Sequence, residues 1–154
     1  MPRIPDTTSQ AQGVYPQTHT EVLDPPVDFK DDTLEVVRCF KNRGPWKGSF
    51  QERKANYRQL HESLNIIYGK TTKLVFHKDL RKSGASGASG SSNYNRGTDT
   101  ITLNGKLSVI TYLHEYRHAM GGNEFAAVRW SLNLFRAVFP EQFARLGFNG
   151  HMAG

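Results

Sequence analysis

From Leu107 to Phe139 apolar residues recur every three or four positions, and the run is interrupted once, by Gly121 and Gly122. That pattern predicts two amphipathic helices joined by a tight turn. The first begins at Lys106, behind an Asn-Gly turn, and carries Leu107, Ile110, Leu113 and Tyr116 on its apolar face. The two glycines suit a left-handed end for it. Asn123 is a good N-cap for the second helix, whose buried edge is expected to be Phe125, Val128, Leu132, Phe135 and Phe139. Pro140 closes that helix and opens a short last one, PEQFARLGF.

Upstream, the same reasoning gives four further elements. Asp31, Asp32 and Thr33 precede LEVVRCFKN, a short helix with Leu34, Val37 and Phe40 at helical spacing and Asp or Thr as its cap. From Ser49 a longer helix places Tyr57, Leu60, Leu64 and Ile67 on one stripe and stops at Gly69; His61 lies beside the stripe, where packing is its commonest role. A strand is expected from Lys73 to Asp79, and a second in TDTITLNG, where Thr98, Thr100 and Thr102 alternate with Asp99, Ile101 and Leu103. Between them SGASGASGSSN has too little apolar surface to fold, so residues 83–97 are expected to be a flexible loop.

A chain of 154 residues supports one domain with a real core. Its apolar content of 37% and mean hydropathy of −0.59 are low for a chain that folds throughout. The expected division is a flexible acidic leader over residues 1–30, one domain over 31–148 and a tail over 149–154. No apolar run is long enough to span a bilayer and the first residues lack a signal-peptide core, so a cytoplasmic protein with no membrane contact is expected. The single cysteine, Cys39, agrees with a reducing compartment and reads as a small buried side chain. Charge is segregated along the chain: residues 1–37 hold 2 basic and 7 acidic side chains, 38–82 hold 12 and 3, and 83–154 hold 6 and 4. The basic middle could attract nucleic acid or an acidic partner, or be a solvated helix face.

The chemistry concentrates in HEYRHAMGGNE, residues 114–124. Residues four apart on a helix share a face, so His114 and His118 present two imidazoles to one point, close enough to hold one Zn²⁺. Glu115 stands about 100° around the helix, badly placed as a ligand and well placed as a general base. The H-E-x-x-H pattern is a metallopeptidase signature. Glu124 is the candidate third ligand, because the break at Gly121 lets the chain swing its carboxylate back toward the histidines. Its alternative role is a helix N-terminal residue favoured by the macrodipole. His151 is a lesser ligand candidate, and Arg117, Tyr94 and His77 could approach the site, each with an equally good structural role.

This string resembles the metzincin sequence H-E-x-x-H-x-x-G-x-x-H with Glu in the last position. Only Met152, near the C-terminal end, is available for the metzincin methionine turn. The order strand, Asn-Gly turn, HExxH helix, glycine turn and Glu-bearing helix is also similar to compact gluzincins such as the SprT-like and ImmA/IrrE-like proteins, across the last third to half of the chain. The resemblance implies an α+β fold, a small zincin-like domain whose short β-sheet packs on the HExxH helix among further helices. It also implies that residues 99–103 form the edge along which a peptide substrate lies. The expected function is that of a zinc metallopeptidase: Glu115 activates a zinc-bound water, His114, His118 and Glu124 hold the metal, and the substrate is a protein. The competing expectation is a non-catalytic, zinc-stabilised or basic binding protein that grips nucleic acid or an acidic partner through residues 38–82.

Overall fold

The computed structural model describes residues 22–23, 25–77 and 92–146. In chain order these give α1 (Asp31–Asn42), α2 (Phe50–Tyr68), β1 (Lys73–Phe76), β2 (Asn93–Asn95), β3 (Thr100–Leu103), α3 (Val109–Ala119), α4 (Glu124–Val138) and α5 (Pro140–Ala144). The fold is α+β. Its sheet has the order β1-β3-β2, with β1 parallel to β3 and β2 antiparallel to it. The most extensive contact between elements is that of α3 with α4.

Local sequence explains the element ends. At α2, Ser49 accepts from the Glu52 backbone N–H while the Glu52 carboxylate accepts from the Ser49 N–H, a reciprocal cap, and Gly69 ends the helix left-handed at φ 63°. Ser108 caps α3 and Asn123 caps α4, each side chain accepting from the backbone N–H three residues on. Helix α3 therefore starts two residues beyond Leu107. Leu107 itself turns the chain at φ 52°, a backbone state costing on the order of 1 kcal/mol for a non-glycine residue. Its buried side chain and the hydrogen bond from Tyr57 Oη to its carbonyl at 2.6 Å hold it there.

The core gathers Phe40, Tyr57, Leu60, Leu64, Ile101, Leu103, Tyr112, Leu113, Tyr116 and Leu132, all fully buried. A polar chain runs through it. His61 sits between the Tyr112 hydroxyl (Nδ1, 2.7 Å) and the Thr72 carbonyl (Nε2, 2.7 Å). A carbonyl only accepts, so Nε2 carries the proton and Nδ1 accepts from Tyr112. Burial pushes the His61 imidazole below its usual pKa. His61 is thus a packing residue, as its place beside the stripe suggested.

Several expectations change. The leader does not extend to residue 30: Val22 and Leu23 are in the core, and Asn133, Arg129 and Arg136 of α4 hydrogen-bond the main chain at Val22, Leu23 and Val27. Residues 1–21 and the tail at 149–154 lie outside the described residues. The expected loop 83–97 ends early, since Asn93–Asn95 pair with Thr100–Thr102; residues 83–91 are outside the description. The first strand stops at Phe76. Strand β3, expected as the substrate edge, is central and paired on both sides. In α1 the acidic residues lie in the first turn rather than capping it, because Lys30 is the N-cap. Cys39 is exposed, its Sγ 3.8 Å from Glu35 Oε2. Phe125 is 48% exposed instead of buried, since the first turn of α4 projects beyond the core.

Candidate metal centre

The site is built by one helix, one turn and the start of the next helix. On α3, His114 is buried at 7% exposure and His118 is half-buried one turn later, with ring centroids 4.9 Å apart. The turn then reverses the chain. Gly121 adopts φ 103°, a state side chains resist, and at Gly122 a Cβ would stand 2.7 Å from Arg117 Nη1, so the arginine's end would have to shift. Asn123 starts α4, which puts Glu124 in its first turn.

Glu124 begins a helix, and its Oε1 lies 3.2 Å from His114 Nε2 and 3.1 Å from His118 Nε2. Ligand atoms of these three residues all fall within 4.8 Å of one another, so the group could hold a metal ion. A tetrahedral site with bonds of about 2.0 to 2.1 Å has donor-to-donor edges of roughly 3.3 Å, close to the two N–O separations found.

Hydrogen bonding sharpens the fit. His118 Nδ1 is 2.9 Å from the Gly122 carbonyl, which can only accept, so Nδ1 carries a proton. In the neutral ring the Nε2 lone pair then faces the Glu124 oxygen at 3.1 Å. Two lone pairs in such contact require a positive charge between them, supplied by a proton or a metal. With the proton there, the hydrogen bond to Glu124 raises the His118 pKa. Hydrogen bonds from His114 and His118 hold the Glu124 carboxyl down at about 2. Glu124's side chain is 62% exposed, so water screens these pairs and they add little to stability. One feature is incomplete: His114 Nδ1 is buried without a partner among the described residues, so no hydrogen bond from behind orients its ring. The donor set and spacing fit a metal ion, with His118 the better oriented imidazole.

Glu115 is half-buried and stands aside from the three. Burial pushes its carboxyl above the usual carboxylate range, while the two histidines and a hydrogen bond from the Tyr94 backbone N–H pull the other way. That backbone contact comes from β2, an edge strand of the sheet. Sequence reading considered the side chain of Tyr94 as a site residue, but its hydroxyl is turned to Asp99 at 2.7 Å. A backbone donor in a three-residue strand behind a Gly/Ser run leaves no signal in residue type. Arg117 packs against Gly122, and His77 lies exposed just past β1. His151 and Met152 fall outside the described residues.

At the N-terminal end of α3 a concavity of about 590 Å³ is lined by Thr111, Ser92, Leu107, Ile110, Phe135 and Trp46, among others. Thr111 is on the same face of α3 as the histidines, one turn earlier. No helix among the described residues is long and apolar enough to cross a membrane. Comparison of the chain with protein-family models, with curated proteins and with solved structures gives no match.

Proposed function

We propose that this protein is a zinc-dependent metallopeptidase of zincin-like architecture that hydrolyses peptide bonds of a protein substrate. The observation that carries the reading is the convergence of two imidazole Nε2 atoms on one carboxylate oxygen, with His118 oriented by Gly122 so that its lone pair points inward. A glutamate adjacent in sequence and not spent on the cluster adds what a purely structural metal site has no use for. A lone exposed cysteine agrees with a reducing, cytoplasmic setting.

Zinc, when bound by His114, His118 and Glu124, supplies Lewis-acid polarisation of a carbonyl and lowers the pKa of water toward about 7. Everything else falls to the chain's own groups. Glu115 takes a proton from the attacking water and returns it to the departing amide nitrogen. The Tyr94 N–H fixes the carboxylate's direction from β2. With β3 covered on both sides, β2 is the edge that an extended substrate would follow past Glu115. The concavity at Thr111 then lies along the same helix face, open to a substrate side chain. The test is cleavage of an unstructured protein such as casein by zinc-loaded enzyme. Hydrolysis that chelator removes, that zinc restores and that Glu115→Gln abolishes supports the reading; hydrolysis retained by Glu115→Gln sinks it.

A second reading has its own observation. Lys54 and Arg58 stack over Phe76, Lys54 and Arg53 approach Phe50, and among the described residues none of these cations pairs with a carboxylate. Such a surface suits nucleic acid or an acidic partner. Retention on DNA that weakens steeply with salt is its signature, and salt-insensitive flow-through would dismiss it.

A further inference from the structure

A second concavity, of about 350 Å³, has none of the three candidate ligands in its lining. One wall is the segment at Pro26, Val27 and Asp28; the other is α3 and α4, through Arg117, Arg129 and Trp130. The Arg117 guanidinium lies beside Gly122, its Nη1 2.7 Å from where a Cβ on that glycine would stand. Arg129 donates from Nη1 to the Val22 carbonyl at 3.1 Å.

Each guanidinium has five N–H donors. Arg129 spends one on the protein and Arg117 none among the described residues. Among the described residues neither meets a carboxylate within ion-pair distance, although Asp28 lines the same concavity. Two half-buried cations, short of acceptors among the described residues, line one cavity together with an indole. A carboxylate monoanion matches one of them, whereas a phosphate offers enough oxygens and charge for both, in bidentate geometry.

We propose that this concavity binds a small oxyanion of the phosphate class, held between Arg117 and Arg129. Asp28 opposes it and sets a limit on affinity. The site is separate from the proposed metal chemistry and requires no metal.

The chain's two tryptophans, Trp46 and Trp130, provide the assay. Full-length, metal-free protein carrying Trp46→Phe reports through Trp130 alone. Inorganic phosphate is titrated against sodium chloride at matched ionic strength. The expected result is a saturable change in Trp130 emission with phosphate and none with chloride. Binding weakens at least about tenfold in Arg117→Gln and in Arg129→Gln, and by less in Arg117→Lys, which keeps the charge and loses the fork. Asp28→Asn, at an exposed position where folding is not at stake, tightens binding by removing the opposing charge. Absence of a saturable response to phosphate, an equal response to chloride, or an affinity unchanged in both folded glutamine variants and in Asp28→Asn would overturn the assignment. Because the measurement uses metal-free protein and no turnover, its outcome is independent of whether the protein is a peptidase.

Discussion

Helix α3 carries two pairs of ring side chains at the same spacing, Tyr112 with Tyr116 and His114 with His118, about 200° apart around its axis. The tyrosines are fully buried and their hydroxyls end on His61 and Asn65. The polar and ring contacts of the histidines among the described residues are with each other, the turn and Glu124. One face thus spends its polar atoms on the fold, and the other leaves two nitrogen lone pairs and a carboxylate facing a common point. Spacing alone does not separate structure from chemistry; the partners at the end of each side chain do.

The comparison breaks most visibly if the tyrosine face is cut. Tyr112→Ala opens a cavity and strands His61 Nδ1, and is expected to cost about 3–5 kcal/mol in urea unfolding. His118→Ala is the counterpart on the other face. It should reduce zinc affinity by at least about 100-fold, while metal-free stability falls by no more than about 1 kcal/mol. A loss of several kcal/mol in that metal-free variant would mean that the histidine face is also structural.

The turn between the faces gives a smaller effect. Gly121→Ala must place a side chain at φ 103° and should destabilise by about 1–3 kcal/mol in the same unfolding assay. It should also weaken metal binding, because Glu124 follows three residues later; an unchanged zinc affinity would show that α4 holds Glu124 without the turn.

Titration of His61 sharpens the contrast further. Its folded pKa is lowered by burial, so the unfolded chain takes up a proton near pH 6.5 while the folded ring resists. Its contribution is therefore full above about pH 6.5 and declines as the pH falls below that. His118 and Glu124 act as a pair of opposite sign: the raised histidine favours the fold below about pH 6.5 and loses its contribution as pH rises through the raised value, and the lowered carboxyl contributes above about pH 4.5 and loses it as pH falls toward about 2. Exposure of Glu124 keeps that pair weak, so His61 should set the slope. Urea midpoints should drop between about pH 7 and about pH 5 in the wild type and drop less in His61→Gln. Equal slopes would remove His61 as the cause. The smallest effect belongs to Cys39→Ser, at an exposed position of α1, expected within about 0.5 kcal/mol.

Much of the frame was legible because it depends on local chemistry. Ser49 with Glu52, Gly69, Asn123 and the alternation of Ile101 and Leu103 each announce an element end or face. The convergence of His114, His118 and Glu124 was legible because helix geometry relates His114 to His118 and a glycine turn relates both to Glu124. What escaped depends on distant partners. Val22 and Leu23 are ordered by side chains more than a hundred positions away, on α4. Strand β2 exists because β3 pairs with it, in a segment with no apolar pattern of its own. Cys39 and Phe125 are exposed because burial depends on which helix face finds a neighbour, which periodicity by itself does not fix.

The most direct test is zinc stoichiometry of tag-free, full-length protein by elemental analysis, for the wild type beside Glu115→Gln and Glu124→Ala. The account predicts about one zinc per chain in the wild type and in Glu115→Gln, and much less in Glu124→Ala. A wild type that takes up no zinc after refolding with the metal would contradict it and leave His114 and His118 as two histidines on a helix.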